Sequence, residues 1–196
     1  MLVVRQGLRP EAVLPLLRGR FGQPYRFVES CESTQRLLGE DDPEGAAVAA
    51  DHQTAGRGRL GRVWEDAPGR GILVSILLRP QVPMAAWPEL SLVAGEAVAH
   101  ALDALDVGAS LRHPNDVVVE GRKLAGLLAE ASPGRVVLGI GVNVNQEAGE
   151  LPVETAKPAT SVRLELGRSV ERAPLLAAIL HELEIGYDAW TAAYRG

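Results

Sequence analysis

The sequence predicts an α/β fold built on a mixed, largely antiparallel sheet flanked by helices. Three observations carry that expectation. Residues 71–78 (GILVSILL) form a continuous apolar run of strand length, as expected of a central strand. Leu90, Val93, Ala97, Val98, Ala101, Leu102 and Leu105 recur at helical spacing and mark an amphipathic helix over 87–105. The apolar segments 117–119, 123–131 and 136–144 are separated by Glu120-Gly121-Arg122 and Ser132-Pro133-Gly134. Those are turn sequences, so the three segments read as an antiparallel meander.

The remaining elements follow in chain order. Pro10 opens a short helix to about Arg18, kinked at Pro15. Residues 25–29 read as a short strand. Ser33 or Thr34 caps a helix to about Gly39. The small apolar run 46–50 suits a buried strand. Pro174 starts a last helix with Leu176, Ile179, Leu183, Tyr187 and Trp190 on one face. No repeat and no low-complexity segment interrupts the 196 residues, which fit one domain over 1–196.

Composition narrows the function classes. Hydrophobic residues make up 46% and charged residues 23%, which excludes a disordered chain. No apolar run approaches the roughly 20 residues that span a bilayer, and the N-terminus lacks the pattern of a signal peptide. One cysteine, Cys31, excludes an internal disulfide and a multi-cysteine zinc site, and it reads as a small buried side chain. A net charge of −5 argues against a broad nucleic-acid surface. The expected setting is the cytoplasm, with no membrane and no nucleic-acid partner. His52, His100, His113 and His181 have no metal-ligand spacing, and Ser33 has no evident histidine–acid partnership.

Between 53 and 70 the chain carries Gly56, Gly58, Gly61 and Gly69 together with Arg57, Arg59, Arg62 and Arg70. A loop of this length is usually functional or disordered. Gly56 to Gly61 matches GxGxxG, but no helix start and no acidic residue at the required distance follow it, so a dinucleotide fold is not expected. The P-loop pattern also fails, because Arg62-Val63 stands where Lys-Ser/Thr is needed. Glycines permit close backbone approach to a ligand, and arginines match phosphate or carboxylate oxygens. Four like charges repel, so the loop is expected to stay mobile until an anion arrives. A solvated basic loop is the plain alternative, and an RGG-like nucleic-acid loop a second.

Other polar groups fall at predicted strand ends. Pro114 holds Asn115 and Asp116 at the mouth of a strand, where Asp116 is a candidate Mg²⁺ ligand or merely a turn residue. Lys123 lies at a strand start and can reach the same mouth. Gly126 inside that strand marks a bulge or leaves room for a ligand. Residues 139–145 (GIGVNVN) end a strand with two glycines and with Asn143 and Asn145.

Together, Glu32-Ser33-Thr34, the segment 53–64 (QTAGRGRLGRVW), Pro114-Asn115-Asp116, 123–128 (KLAGLL) and 139–145 resemble the biotin protein ligases, which are biotin–[acetyl-CoA-carboxylase] ligases. Order and spacing agree from about 30 to 145, and more loosely through 159–162 to the last helix. The resemblance implies a sheet related to class II aminoacyl-tRNA synthetases. It implies ATP, Mg²⁺ and biotin: biotinyl-5′-AMP is formed, and biotin then passes to a lysine of a biotin carboxyl carrier protein. It places Ser33, Thr34, Gln53, Gly56, Gly58 and Gly126 at biotin. It puts Arg57, Arg59 and Lys123 at the carboxylate and phosphate, and Arg62, Trp64, Asn115 and Asn143 at the nucleotide. Asp116 becomes the metal or pyrophosphate-side acid. A homodimer is compatible with it.

The sequence departs from the family's pattern at Arg112 and His113, where the family has Lys and Trp, and at Gln35, where it has Asn. Neither the helix-turn-helix of repressor-type members nor the C-terminal β-barrel is expected in these residues. Two alternatives remain: a biotin or biotinyl-AMP binding protein without transfer, and a lipoate or octanoate ligase.

Overall fold

The protein was analysed as a computed structural model that describes residues 7–152 and 158–195; Lys157 lies outside them. Seven strands form one sheet: β1 (Tyr25–Cys31), β2 (Ala47–Gln53), β3 (Ile72–Leu78), β4 (Ser110–Arg112), β5 (Asp116–Val119), β6 (Arg122–Ser132) and β7 (Arg135–Val142). Their order is β1-β2-β3-β7-β6-β5-β4. Only β1 and β2 run parallel; the other neighbours are antiparallel, as the turn sequences predict. The helices are α1 (Pro10–Val13), α2 (Leu90–Asp103), α3 (Val162–Leu166) and α4 (Arg172–Ala193).

The pleat sorts the two faces of the sheet. On one, Ile72, Val74, Ile76 and Leu78 of β3 and Leu138, Ile140 and Val142 of β7 are buried with Leu90, Ala94, Val98 and Leu102 of α2 and Leu176, Ile179 and Leu183 of α4. Alternation puts Ser75, Gly139 and Gly141 on the opposite face. There Gly126 pairs with Gly141, and Gly139 pairs with both Leu128 and Ser75. The central strands thus offer a bulky side to the helices and a shallow side elsewhere. Among the described residues, no helix is long and apolar enough to cross a membrane.

Four expectations change. The first helix stops at Val13 and continues as a 3₁₀ turn over Leu14–Leu16, with Pro15 in it. The helix expected over 33–39 is only a 3₁₀ turn, Thr34–Leu37. Ser33 makes no side-chain cap, while the side chains of Thr34 and Gln35 are spent on bonds to the sheet. The last helix begins at Arg172, so Pro174 occupies its first turn, where its missing N–H has no partner to lose. Helix α3 was not anticipated, although Ser161 caps it and Gly167 ends it at φ +68°.

Candidate functional site

The shallow face is floored by glycine. A Cβ built on Gly126 would lie 2.8 Å from Trp64 Cζ3, and one on Gly141 would lie 2.6 Å from Trp64 Cε2. Only a residue without a side chain leaves room for the indole at either position. Gly139 stands in the same relation to Gln35, whose Cδ would be 3.1 Å away. Gln35 donates from Nε2 to the carbonyls of Leu128 (3.1 Å) and Val137 (3.3 Å). Next to it, the Thr34 hydroxyl meets Ser75 Oγ at 2.8 Å. Ser33 is buried at the start of this turn.

The indole comes from the glycine–arginine loop, which is a small hairpin. Gly58 N–H donates to the Arg62 carbonyl (2.8 Å), and Trp64 N–H donates to that of Gly56 (2.9 Å). Between them a 3₁₀ turn spans Arg59–Gly61, with Leu60 at φ +59° and 86% exposed. Gly56 admits the Trp64 carbonyl, which a Cβ would approach to 2.4 Å. At the loop's base Gly69 N–H donates to the Asp51 carbonyl (2.8 Å), and the Asp66 carboxylate accepts from Gln53 N–H (3.0 Å) and contacts His52 Nδ1 (2.7 Å). Gln53 in turn accepts at Oε1 from Thr34 N–H (2.8 Å) and from the Thr34 hydroxyl (3.1 Å).

Lys123 connects the loop to the sheet mouth. Its Nζ lies 2.9 Å from Asp116 Oδ1 and 5.5 Å from the centre of the Trp64 ring, a cation–π contact. Asp116 is buried at the start of β5 and pairs with Gly126. Asn115 fixes the neighbouring turn by donating to the Leu127 carbonyl (2.9 Å). Asn143 donates to the Thr160 carbonyl (3.1 Å), while Thr160 N–H bonds the Lys123 carbonyl (2.9 Å). The segment before α3 therefore holds Lys123 and Asn143 together.

Thr34, Gln53, Gly56, Trp64, Asp116, Lys123 and Gly126 form one connected group. Asn115 and Asn143 brace its edges. The arginines are not drawn in. Arg57 is paired with Glu130 of β6 at 2.7 Å. Arg59 lines a groove of about 510 Å³ with Met84, Trp87, His113, Pro114 and Leu128. Arg62 is exposed, and Gly58 contributes backbone to the hairpin. Two of the four charges take separate partners, Arg57 with Glu130 and Arg70 with Glu150 at 3.3 Å. Cys31 is half-buried rather than buried; burial pushes its thiol pKa up, with the Asp66 charge adding to the shift.

Sequence reading missed His52, Asp66, Arg172 and Glu130. Arg172 is buried, donates to the Gly71 carbonyl (2.8 Å) and pairs with Asp51 (2.9 Å), tying α4 to the loop's exit. None of these residues lies in a motif, so only their contacts reveal them. Among the described residues, no group of three or more His, Cys, Asp or Glu side chains could hold a metal ion. Chemically, the group offers an ammonium beside a nearly buried carboxylate and an indole laid on the glycine floor.

The profile of the Biotin/lipoate A/B protein ligase family matches residues 27–147. The chain is 37% identical over 187 residues to the bifunctional ligase/repressor BirA of Bacillus spizizenii, covering 90% of this chain and 55% of that protein. It is 41% identical over 158 residues to the biotin–[acetyl-CoA-carboxylase] ligase of Mycobacterium tuberculosis, covering 78% and 58%. It thus spans a little over half the length of these relatives. The structure of biotin protein ligase from Aquifex aeolicus in complex with biotin and ATP superposes with a TM-score of 0.77 at 34% identity, covering 85% of this chain and 71% of that one. That of Leishmania major in complex with biotinyl-5-AMP superposes with a TM-score of 0.67 at 27% identity, covering 84% and 76%.

Proposed function

The chain belongs to the biotin/lipoate A/B protein ligase family, and on that premise we propose that it joins biotin to ATP as biotinyl-5′-AMP and passes the biotinyl group to a lysine of a biotin carboxyl carrier protein. The observation that carries this reading is Lys123, held by Asp116 and facing Trp64 above the glycines of β6 and β7. The Aquifex structure is a complex with biotin and ATP and the Leishmania structure a complex with biotinyl-5-AMP, the reactants and intermediate this chemistry needs.

The shallow face bordered by the Trp64 indole takes the apolar body of biotin, and Thr34 and Gln53 present polar atoms at one end of it. Lys123 faces the substrate carboxylate. One carboxylate oxygen attacks the α-phosphorus of MgATP, the bond to the β-phosphate oxygen breaks, and pyrophosphate leaves. The Lys123 ammonium offsets the negative charge gathering on the α-phosphoryl oxygens. Arg57 and Arg59 join it when the loop closes, while Arg62, Trp64, Asn115 and Asn143 border the nucleotide. Asp116, beside Lys123, is the carboxylate that would face Mg²⁺ carried in by ATP, and the ion would supply further charge neutralisation at the phosphates. In the second half-reaction the carrier lysine nitrogen attacks the acyl carbon, the C–O bond to phosphate breaks, AMP leaves and the nitrogen loses a proton.

No enzyme nucleophile is required, so catalysis rests on positioning, charge neutralisation and keeping water from the anhydride. The test is pyrophosphate release from ATP with biotin, followed by labelling of an isolated carrier domain. Biotin-dependent release with transfer is expected. Release without transfer would leave an adenylate-binding protein, and release with lipoate in place of biotin would reassign the substrate.

A further inference from the structure

Asp66 touches neither the glycine floor nor Lys123, yet its position in the hydrogen-bond network is central. Its side chain is 1% exposed, an environment that disfavours a carboxylate unless donors surround it. Oδ2 accepts from the Gln53 backbone N–H at 3.0 Å, and Oδ1 lies 2.7 Å from His52 Nδ1. Both partners sit at the end of β2, where the chain leaves the sheet for the loop. Asp66 itself stands where the chain returns, so one carboxylate clamps the two ends of the hairpin.

The clamp reaches further through Gln53. Thr34 N–H and the Thr34 hydroxyl both bond Gln53 Oε1, which fixes the sense of that amide. The amide's other end, Nε2, faces Gly56, since a Cβ there would lie 3.1 Å from it. A donor is thereby aimed at the start of the glycine–arginine loop, and with the Thr34 hydrogen given to Gln53, the Ser75 hydroxyl donates to Thr34 Oγ1 at 2.8 Å. The series His52, Asp66, Gln53, Thr34, Ser75 links the loop base, the 3₁₀ turn and the central strand.

We propose that Asp66 is a positioning residue for the acid substrate: through the Gln53 backbone and His52 it holds the Gln53 amide and Thr34 in the orientation that receives the ring end of biotin. The role rests on the proposed function for the identity of the substrate, but not for the coupling between Asp66 and Thr34. The contacts of Asp66 run to His52 and Gln53, on the Thr34 side of the site. Loss of the clamp therefore weakens the acid substrate and leaves ATP nearly untouched.

Two variants and two readouts test this. Asp66→Ala removes both contacts. Asp66→Asn keeps an acceptor for Gln53 N–H and places a donor toward the His52 ring without the charge. In steady-state adenylation, Asp66→Ala is expected to raise the KM for biotin about tenfold, the scale of one lost charge-assisted hydrogen bond, with the KM for ATP within about twofold. Asp66→Asn is expected to recover most of that loss. Hydrogen exchange on the full chain is the second readout. In Asp66→Ala the Thr34 amide, which Asp66 does not touch, should exchange faster, while amides in β6 and β7 hold their protection. Equal increases in both KM values, or a uniform rise in exchange, would reduce Asp66 to a structural residue and overturn the proposal. Unchanged exchange at Thr34 would overturn it as well. A wild-type chain that releases no pyrophosphate with biotin overturns the functional reading instead, and the exchange experiment still decides the coupling.

Discussion

The indole of Trp64 lies against Gly141, so close that a single methyl group at 141 would stand 2.6 Å from its Cε2 and 2.8 Å from its Cζ2. The contact joins the loop to the sheet at a point where neither partner is a flexible chain end. Gly141→Ala must therefore displace the indole or the strand, an overpacking cost of about 1–3 kcal/mol. We expect the variant to fold with a lowered Tm, altered tryptophan fluorescence and a KM for biotin raised about tenfold or more. Fluorescence and KM like those of the wild type would show that the indole does not need this floor.

Lys123 predicts a different split. Its ammonium is 2.9 Å from Asp116 and faces the position assigned to the reacting carboxylate. Lys123→Ala should slow adenylate formation by roughly ten- to a hundredfold, since a charge-assisted contact is worth about 1.5–3 kcal/mol. Biotin binding measured calorimetrically without ATP should change far less. An unchanged burst of pyrophosphate would remove Lys123 from the reaction.

Much of the fold was legible because its signals are local. The apolar run of β3, the spacing of α2 and the two turns around β6 each act within a few residues, and each element formed where its pattern lies. The 33–39 segment failed for the opposite reason. Thr34 and Gln35 carry their side chains to Gln53, Ser75, Leu128 and Val137, partners 19 to 102 residues away, and the helix those residues would cap does not form. In the site, Gly126, Trp64, Lys123 and Asp116 were visible because motif spacing keeps them in register. Asp66 and Arg172 were not, since a buried acid and a buried arginine in sequence look like any other surface charges. Where Arg57 and Arg59 rest was equally hidden: loop composition gives their chemistry, not their partners.

Arg57 is the arginine with a named competitor. Glu130 holds its guanidinium at 2.7 and 2.9 Å on the rim of β6, with both side chains partly exposed. Such a pair is worth under about 1 kcal/mol. Glu130→Gln should release Arg57 toward the substrate carboxylate and tighten biotin binding by no more than about fivefold. Its signature is a stronger weakening of binding by salt than in the wild type, read by titration at low and high ionic strength. Weaker binding in Glu130→Gln would mean that Glu130 supports the loop rather than restrains it.

Acid sensitivity should trace to a contact far from the site. Arg20 forks onto Asp188 and Glu184 of α4, and its hydrogen bond holds the Asp188 carboxyl below its ordinary pKa. A carboxylate with a depressed folded pKa stabilises the fold above its unfolded pKa, and that stabilisation fades as pH falls through the folded value. Asp188 is half-exposed, so the contribution is below about 1 kcal/mol. Asp188→Asn should thus lower the Tm slightly at neutral pH, and the gap to the wild type should close as the pH drops through the carboxylate range. A gap that persists unchanged in acid would assign the difference to packing instead.

Arg59 gives the most demanding test, because its resting place is not where the proposed chemistry needs it. Its side chain lies along the groove formed by Met84, Trp87, His113, Pro114 and Leu128, and the adjoining Leu60 stands open to solvent at φ +59°. Reaching an acyl-adenylate above Lys123 would require the hairpin to move. With Arg59 in place, the guanidinium would both stabilise the mixed anhydride and slow its escape. Arg59→Gly removes the forked contact and loosens the closed hairpin, while Lys123 still serves the first half-reaction. Adenylate should therefore form, at reduced rate, and leave the site more readily. Free adenylate acylates lysines without selection, so the readout is biotin appearing on a lysine-rich bystander such as serum albumin, with no carrier domain present, normalised to pyrophosphate released. The mutant should label albumin several times more per adenylate formed than the wild type, and limited proteolysis within 53–70 should lose its protection by biotin plus ATP. Equal labelling per adenylate in the two proteins would mean that Arg59 stays in its groove throughout the cycle and does not guard the intermediate.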